Sequence, residues 1–108
     1  MKPRMSERFP VRVDVIFFAY GTDTEGKGII ADLSKGGCHV ESDAQPNPGA
    51  ELRLSILMPD YTWPMKVDRA IVRWVKGRHF GVEFLSMHSS QRDRLTRFIM
   101  KVKQERGY

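Results

Sequence analysis

The run Val11-Arg12-Val13-Asp14-Val15-Ile16-Phe17 sets the architecture. Val11, Val13, Val15 and Phe17 fall on one face, while Arg12 and Asp14 take the other. Apolar–polar alternation with β-branched side chains has the period of a strand with one buried face. The same pattern recurs between turn signals. Gly21-Thr22-Asp23-Thr24-Glu25-Gly26 reads as a turn, followed by a second strand from about Lys27 to Leu33. Ile29, Ala31 and Leu33 should point one way there, and Ile30 and Asp32 the other. Ser34-Lys35-Gly36-Gly37 is a tight connection, and Cys38 to Glu41 is a short third strand. Pro46, Pro48 and Gly49 mark a loop. A fourth strand alternates Leu52, Leu54, Ile56 and Met58 with Glu51, Arg53 and Ser55. The fifth, roughly Pro64 to Val75, changes phase: Met65 and Val67 are apolar at odd positions, Ala70, Val72 and Trp74 at even ones. A one-residue slip predicts a bulge near Asp68-Arg69. Lys76-Gly77 turns into a sixth strand with Phe80, Val82 and Phe84 inward.

After residue 88 the period changes. Leu95, Phe98, Ile99 and Val102 form one helical stripe, with Arg92, Arg94, Arg97, Lys101 and Lys103 opposite. Ser90 and Asp93 have capping-box spacing. Six short strands joined by turns close most easily into an antiparallel β-barrel, which removes exposed edges, and the helix then covers a mouth or a side. The expectation is an all-β single domain over 1–108: an arm at 1–9, a six-stranded antiparallel barrel at 10–85 and a C-terminal amphipathic helix at 89–106.

Composition narrows the function. A chain of 108 residues with 41% hydrophobic residues can build one core. The net charge of +5 favours anionic partners: nucleic acid, nucleotides or lipid headgroups. Cys38 is the single cysteine, which excludes an intrachain disulfide and a cysteine-based zinc site and suits a reducing compartment. Residues 1–8 are charged and do not resemble a signal peptide, and no apolar run approaches membrane-spanning length. The expected location is the cytoplasm.

Two clusters could carry chemistry. Arg4, Arg8 and Arg12 are spaced R-x-x-x-R in two overlapping pairs. The guanidinium fork donates two parallel hydrogen bonds to phosphate, and can stack on a purine or bond the O6/N7 edge of guanine. Arg12 already lies in the strand pattern, so Arg4 and Arg8 are the stronger pair. Taken alone, the same residues read more readily as a solvated basic tail. In Asp32-Leu33-Ser34-Lys35-Gly36-Gly37, the carboxylate can accept the N1–H and N2–H₂ donors of guanine, and Ser34 can donate or accept. Gly36 and Gly37 allow close approach of a ligand and positive φ. Asp, Ser and Gly are also ordinary turn residues.

Together the clusters resemble the PilZ domain, the bacterial receptor for cyclic di-GMP: R-x-x-x-R at Arg4 and Arg8, then Phe9-Pro10-Val11, then D-x-S-x-x-G at Asp32, Ser34 and Gly37. Pro48-Gly49-Ala50-Glu51-Leu52, Ile71-Val72-Arg73-Trp74 and Phe80-Gly81-Val82-Glu83-Phe84 extend the resemblance over nearly the whole chain. It implies a six-stranded barrel with a terminal helix, and an arm that wraps over the ligand. The arginines would hold phosphates and guanine, while Asp32 and Ser34 would hold guanine from the barrel. The implied role is a receptor and adaptor that signals to an unidentified protein partner in control of motility, exopolysaccharide or virulence. Cyclic di-GMP is the ligand and no cofactor is implied. Pro3 stands where some members have a further basic residue, which bears on whether a stacked ligand pair is held.

Other readings have less support. Ser34, His39 and Asp32 are the residue types of a hydrolase triad, but no G-x-S-x-G elbow surrounds Ser34. His39, His79 and His88 lack metal-ligand spacing. A PilZ-type protein–protein adaptor without ligand, and a basic barrel presenting Tyr61, Trp63, Trp74 and Phe80 to nucleic acid, are the alternatives.

Overall fold

The computed structural model describes residues 7–22, 24–59 and 62–105. The strands are β1 (Phe9–Ala19), β2 (Glu25–Leu33), β3 (Gly37–Glu41), β4 (Glu51–Leu57), β5 (Met65–Lys76) and β6 (His79–Ser86), followed by helix α1 (Ser89–Glu105). They form a closed barrel in the order β1-β2-β3-β6-β5-β4, with every pair antiparallel. The fold class expected from the alternation is the one observed. Val13, Val15, Phe17, Leu52, Leu54, Ile56, Met65, Val67, Phe80 and Val82 fill the interior, where Phe17 and Phe80 meet edge to face at 5.2 Å.

Bulges tune which side chains reach that interior. Leu52 pairs with Ala70 and Leu54 with Val67, so Asp68 and Arg69 together oppose Arg53. This is the bulge expected from the phase slip. Two others correct the simple alternation. In β2, Ile30 pairs with Val40 and Asp32 with His39, leaving Ala31 as an extra residue. The buried residues are therefore Ile30 and Leu33, and not the set Ile29, Ala31 and Leu33. In β5, Val72 pairs with Val82 and Trp74 with Gly81, so Arg73 is extra and Trp74 turns outward instead of joining the core.

The stripe Leu95, Phe98, Ile99 and Val102 is buried as expected. The cap is not the expected Ser90–Asp93 box. His88 caps the helix: its Nδ1 accepts the Ser90 amide at 3.3 Å and lies 3.0 Å from Ser90 Oγ. Ser90 already sits in the first turn, so its hydroxyl cannot serve as the N-cap. The basic face of the helix makes contacts of its own. Arg94 donates to the carbonyls of Pro64 (3.1 Å) and Trp63 (2.5 Å), fastening α1 to the segment before β5. Lys103 lies 5.9 Å from the Phe9 ring centre and 3.8 Å from Glu7. No helix among the described residues is long and apolar enough to cross a membrane.

Candidate functional site

The β1–β2 ladder places Pro10 opposite Asp32, which brings Arg8 to the end of β2. Arg8 Nη1 donates to Asp32 Oδ1 at 2.8 Å. The two sequence clusters therefore meet in space. The second oxygen, Oδ2, lies 3.3 Å from His39 Nδ1, because Asp32 and His39 pair across β2 and β3. The Asp32 side chain is 26% exposed, enough to accept hydrogen bonds from a ligand.

The network continues along the outer wall. His39 Nε2 and His79 Nδ1 are 2.8 Å apart, and His79 Nε2 is 3.7 Å from Glu41. A hydrogen bond between two imidazole nitrogens needs a single proton between them. Trp74 stands edge-on to His39 at 5.2 Å and is 41% exposed. Its indole lies on Gly81, where a Cβ would come within 2.1 Å of Trp74 Nε1. The face across β2, β3, β6 and β5 thus combines a guanidinium, a carboxylate, an imidazole pair and an aromatic platform.

Sequence reasoning considered His39, His79 and Trp74 only in other readings and did not place them beside Arg8 and Asp32. The histidines are forty positions apart and meet only because β3 pairs with β6. Gly81 opposite Trp74 is the one sequence signal for the platform, since glycine clears the space that an aromatic needs.

The remaining expected residues take different places. Ser34 is buried, and its hydroxyl donates to the Gly37 carbonyl (3.2 Å) while accepting the amides of Gly36 (3.2 Å) and Gly37 (3.1 Å). It closes the turn. Gly36 and Gly37 are not among the glycines with positive φ, so the conformational reason expected for them does not apply. Gly36 is exposed, and its carbonyl accepts the Phe84 amide at 2.8 Å. At Gly37 a Cβ would lie 2.2 Å from the Val82 carbonyl oxygen, so close approach of β6 requires glycine. Arg12 is exposed on β1, within a bulge where Val11 and Arg12 face Ala31. Arg4 lies outside the described residues, as does Tyr61.

The hydrolase residue types do not assemble, because His39 Nε2 faces His79 while the Ser34 hydroxyl is bonded within its own turn. Among the described residues no group of three or more His, Cys, Asp or Glu is placed to hold a metal ion. Cys38 is fully buried. Burial pushes its thiol far above the usual range, Asp32 adds to the rise and Arg8 opposes it. The thiol is therefore protonated at neutral pH, and thiolate is the reactive form. Cys38 should resist a thiol reagent at pH 8 in the folded protein and react fully in denaturant, a contrast measurable by absorbance.

The family model for the PilZ domain matches residues 2–101. A search of curated proteins finds no sequence match. Among solved structures, the chain is similar to the Bacillus subtilis inhibitor of motility MotI/DgrA, with TM-score 0.79, 18% identity, and coverage of 97% of this chain and 53% of that one. Escherichia coli YcgR in complex with c-di-GMP gives 0.78 at 18% identity, covering 94% and 46%. The PilZ domain of CeSA from a cellulose-synthesizing bacterium gives 0.71 at 15%, covering 91% and 99%. The chain thus spans about half the length of the first and second of these, and nearly all of the third. With the family model matched over most of the barrel and the helix, the chain belongs to the PilZ domain family.

Proposed function

We propose that this domain is a receptor for cyclic di-GMP that acts as an adaptor, in the cytoplasm, toward a protein partner. The observation that carries the reading is the 2.8 Å contact between Arg8 and Asp32, which joins the two halves of the motif on a partly exposed face. The YcgR neighbour, in complex with c-di-GMP, supports the same ligand class. Arg8 and Asp32 neutralise one another in the absence of ligand. A guanine edge would take the place of Arg8 at Asp32, donating N1–H and N2–H₂ to the carboxylate. Arg8, released, would bond a phosphate or the O6/N7 edge, with Arg4 joining from the arm. Trp74 offers its face to a base, and His39 holds the far side of Asp32. Ser34 and Gly37 contribute by fixing the turn that aims Asp32, and Gly36 by its exposed backbone beside it. Arg12, exposed in the bulge of β1, would hold a second phosphate. Ordering the arm over the ligand costs conformational entropy and changes the exposed surface, which is how binding would reach a partner controlling motility, exopolysaccharide or virulence. No step here is catalytic.

Isothermal titration with cyclic di-GMP, with GTP and cyclic di-AMP as controls, tests the reading. Saturable binding of cyclic di-GMP alone is expected, and its stoichiometry gives one ligand or a stacked pair. Trp74→Ala should weaken binding about tenfold to a hundredfold, since base–aromatic stacking contributes about 1–3 kcal/mol per base. Absence of binding by the unaltered chain would overturn the receptor reading.

A further inference from the structure

The wall formed by β4, β1 and β2 departs from the alternation that holds elsewhere. Val15 and Phe17 point into the core, yet Ile16 and Phe18 on the opposite face of β1 are also apolar. Ile29 of β2 and the exposed Leu57 of β4 extend the patch, and none of these four belongs to the core cluster. Register orders the outer face in three rows: Leu57–Asp14–Ile29, Ser55–Ile16–Lys27 and Arg53–Phe18–Glu25. The Arg53 guanidinium sits 4.9 Å from the Phe18 ring centre. Ile16, Ile29, Leu57 and Lys27 also border a groove of about 500 Å³.

We infer that this face joins two copies of the chain about a two-fold axis parallel to β1. The charge pattern selects both occupant and orientation. Such an axis carries β4 of one copy over β2 of the other at the same height. Arg53 of each copy then faces Glu25 of the other, Leu57 faces Ile29, Ser55 faces Lys27, and Ile16 and Phe18 meet their own copies. An axis perpendicular to the strands would instead set Arg53 against Leu57 and Glu25 against Ile29, pairing charges with apolar side chains. A self-complementary patch is what an isologous dimer requires. Asp14 opposes the contact, because it lies on the axis and meets its own copy. The patch spans only three strands, so the dimer is a weak one. The inference does not depend on the ligand reading.

Sedimentation equilibrium from about 10 µM to about 500 µM tests it, a range suited to a small interface. The unaltered chain should show a monomer–dimer equilibrium. Phe18→Ser should raise the dimer Kd about thirtyfold, the effect of losing a central anchor. Arg53→Glu and Glu25→Arg should each weaken the dimer, and the two together should restore it. Asp14→Asn should tighten it by about fivefold. Circular dichroism checks that each variant is folded, and the charge pair leaves the apolar residues untouched. A monomer throughout the range, or a dimer that Phe18→Ser leaves unchanged and the charge swap does not rescue, overturns the inference.

Discussion

Replacing Arg8 with Ala is expected to weaken cyclic di-GMP binding by a hundredfold or more while leaving the barrel folded. Charge-assisted hydrogen bonds contribute about 1.5–3 kcal/mol each, so losing a two-pronged phosphate or guanine contact removes roughly 3–6 kcal/mol. The fold should hardly notice, because the ion pair with Asp32 is part-exposed and such pairs contribute about 0–1 kcal/mol. Asp32→Ala should act as strongly on binding, since its carboxylate is the group that would accept the guanine donors. The two losses should not add, because Arg8 and Asp32 are in contact. Arg8→Lys distinguishes charge from shape: it keeps the charge, loses the fork and should fall between the unaltered chain and Ala. Titration calorimetry measures the affinities, and thermal melting checks the fold. Unchanged affinity in Arg8→Ala or Asp32→Ala would remove these residues from the site.

The second large effect falls on the fold, although the residue belongs to the same motif. Gly37→Ala should destabilise the barrel by about 3 kcal/mol, at the upper end of overpacking costs, and lower Tm by about 10 °C or more. The added Cβ would lie 2.2 Å from the Val82 carbonyl oxygen, and a backbone atom cannot swing away as a flexible side chain can. Relief requires β3 to part from β6, where Gly37 pairs with Glu83 and Cys38 with Val82. Gly49→Ala is the control. Gly49 has φ +84, but a Cβ there would meet no atom within 4 Å. It should therefore lose only the cost of the left-handed conformation, about 1–2 kcal/mol. If Gly37→Ala melted no earlier than Gly49→Ala, steric exclusion would not be the reason for glycine in the motif. If it melts early, loss of ligand binding in a Gly37 variant reports an unfolded receptor and not a missing contact.

The barrel was legible because most strands mark their phase with charged residues. Arg12 and Asp14 fix the outer face of β1, and Glu51 and Arg53 that of β4. The bulge at Asp68-Arg69 was readable because two charges stand between apolar runs of opposite phase. The bulges at Ala31 and Arg73 were hidden by apolar neighbours on both phases. Ile29-Ile30-Ala31 carries no outward marker, and Trp74 follows Val72 at core spacing although Arg73 shifts it to the surface. Ser90 and Asp93 imitate a cap by spacing, but where α1 begins is set by the end of β6, which leaves His88 at the capping position. At the site, Arg8 and Asp32 were found as a motif. His39, His79 and Trp74 come together only through pairing of β3, β6 and β5, and no local pattern encodes that.

Closure of the barrel also governs how the chain must be made. β1 needs β4 as well as β2, and β3 needs β6, so neither strand has both neighbours when it first emerges from the ribosome. At about 5–20 residues per second, β1 waits several seconds for β4. During that wait Val13, Val15 and Phe17 are uncovered beside an unpaired strand edge. Non-local pairing then completes in about milliseconds to seconds. Aggregation during synthesis is therefore governed by translation speed across residues 20–57 and by chaperones that shield β1, and a variant that slows closure can lower yield without altering the melting temperature of the finished barrel.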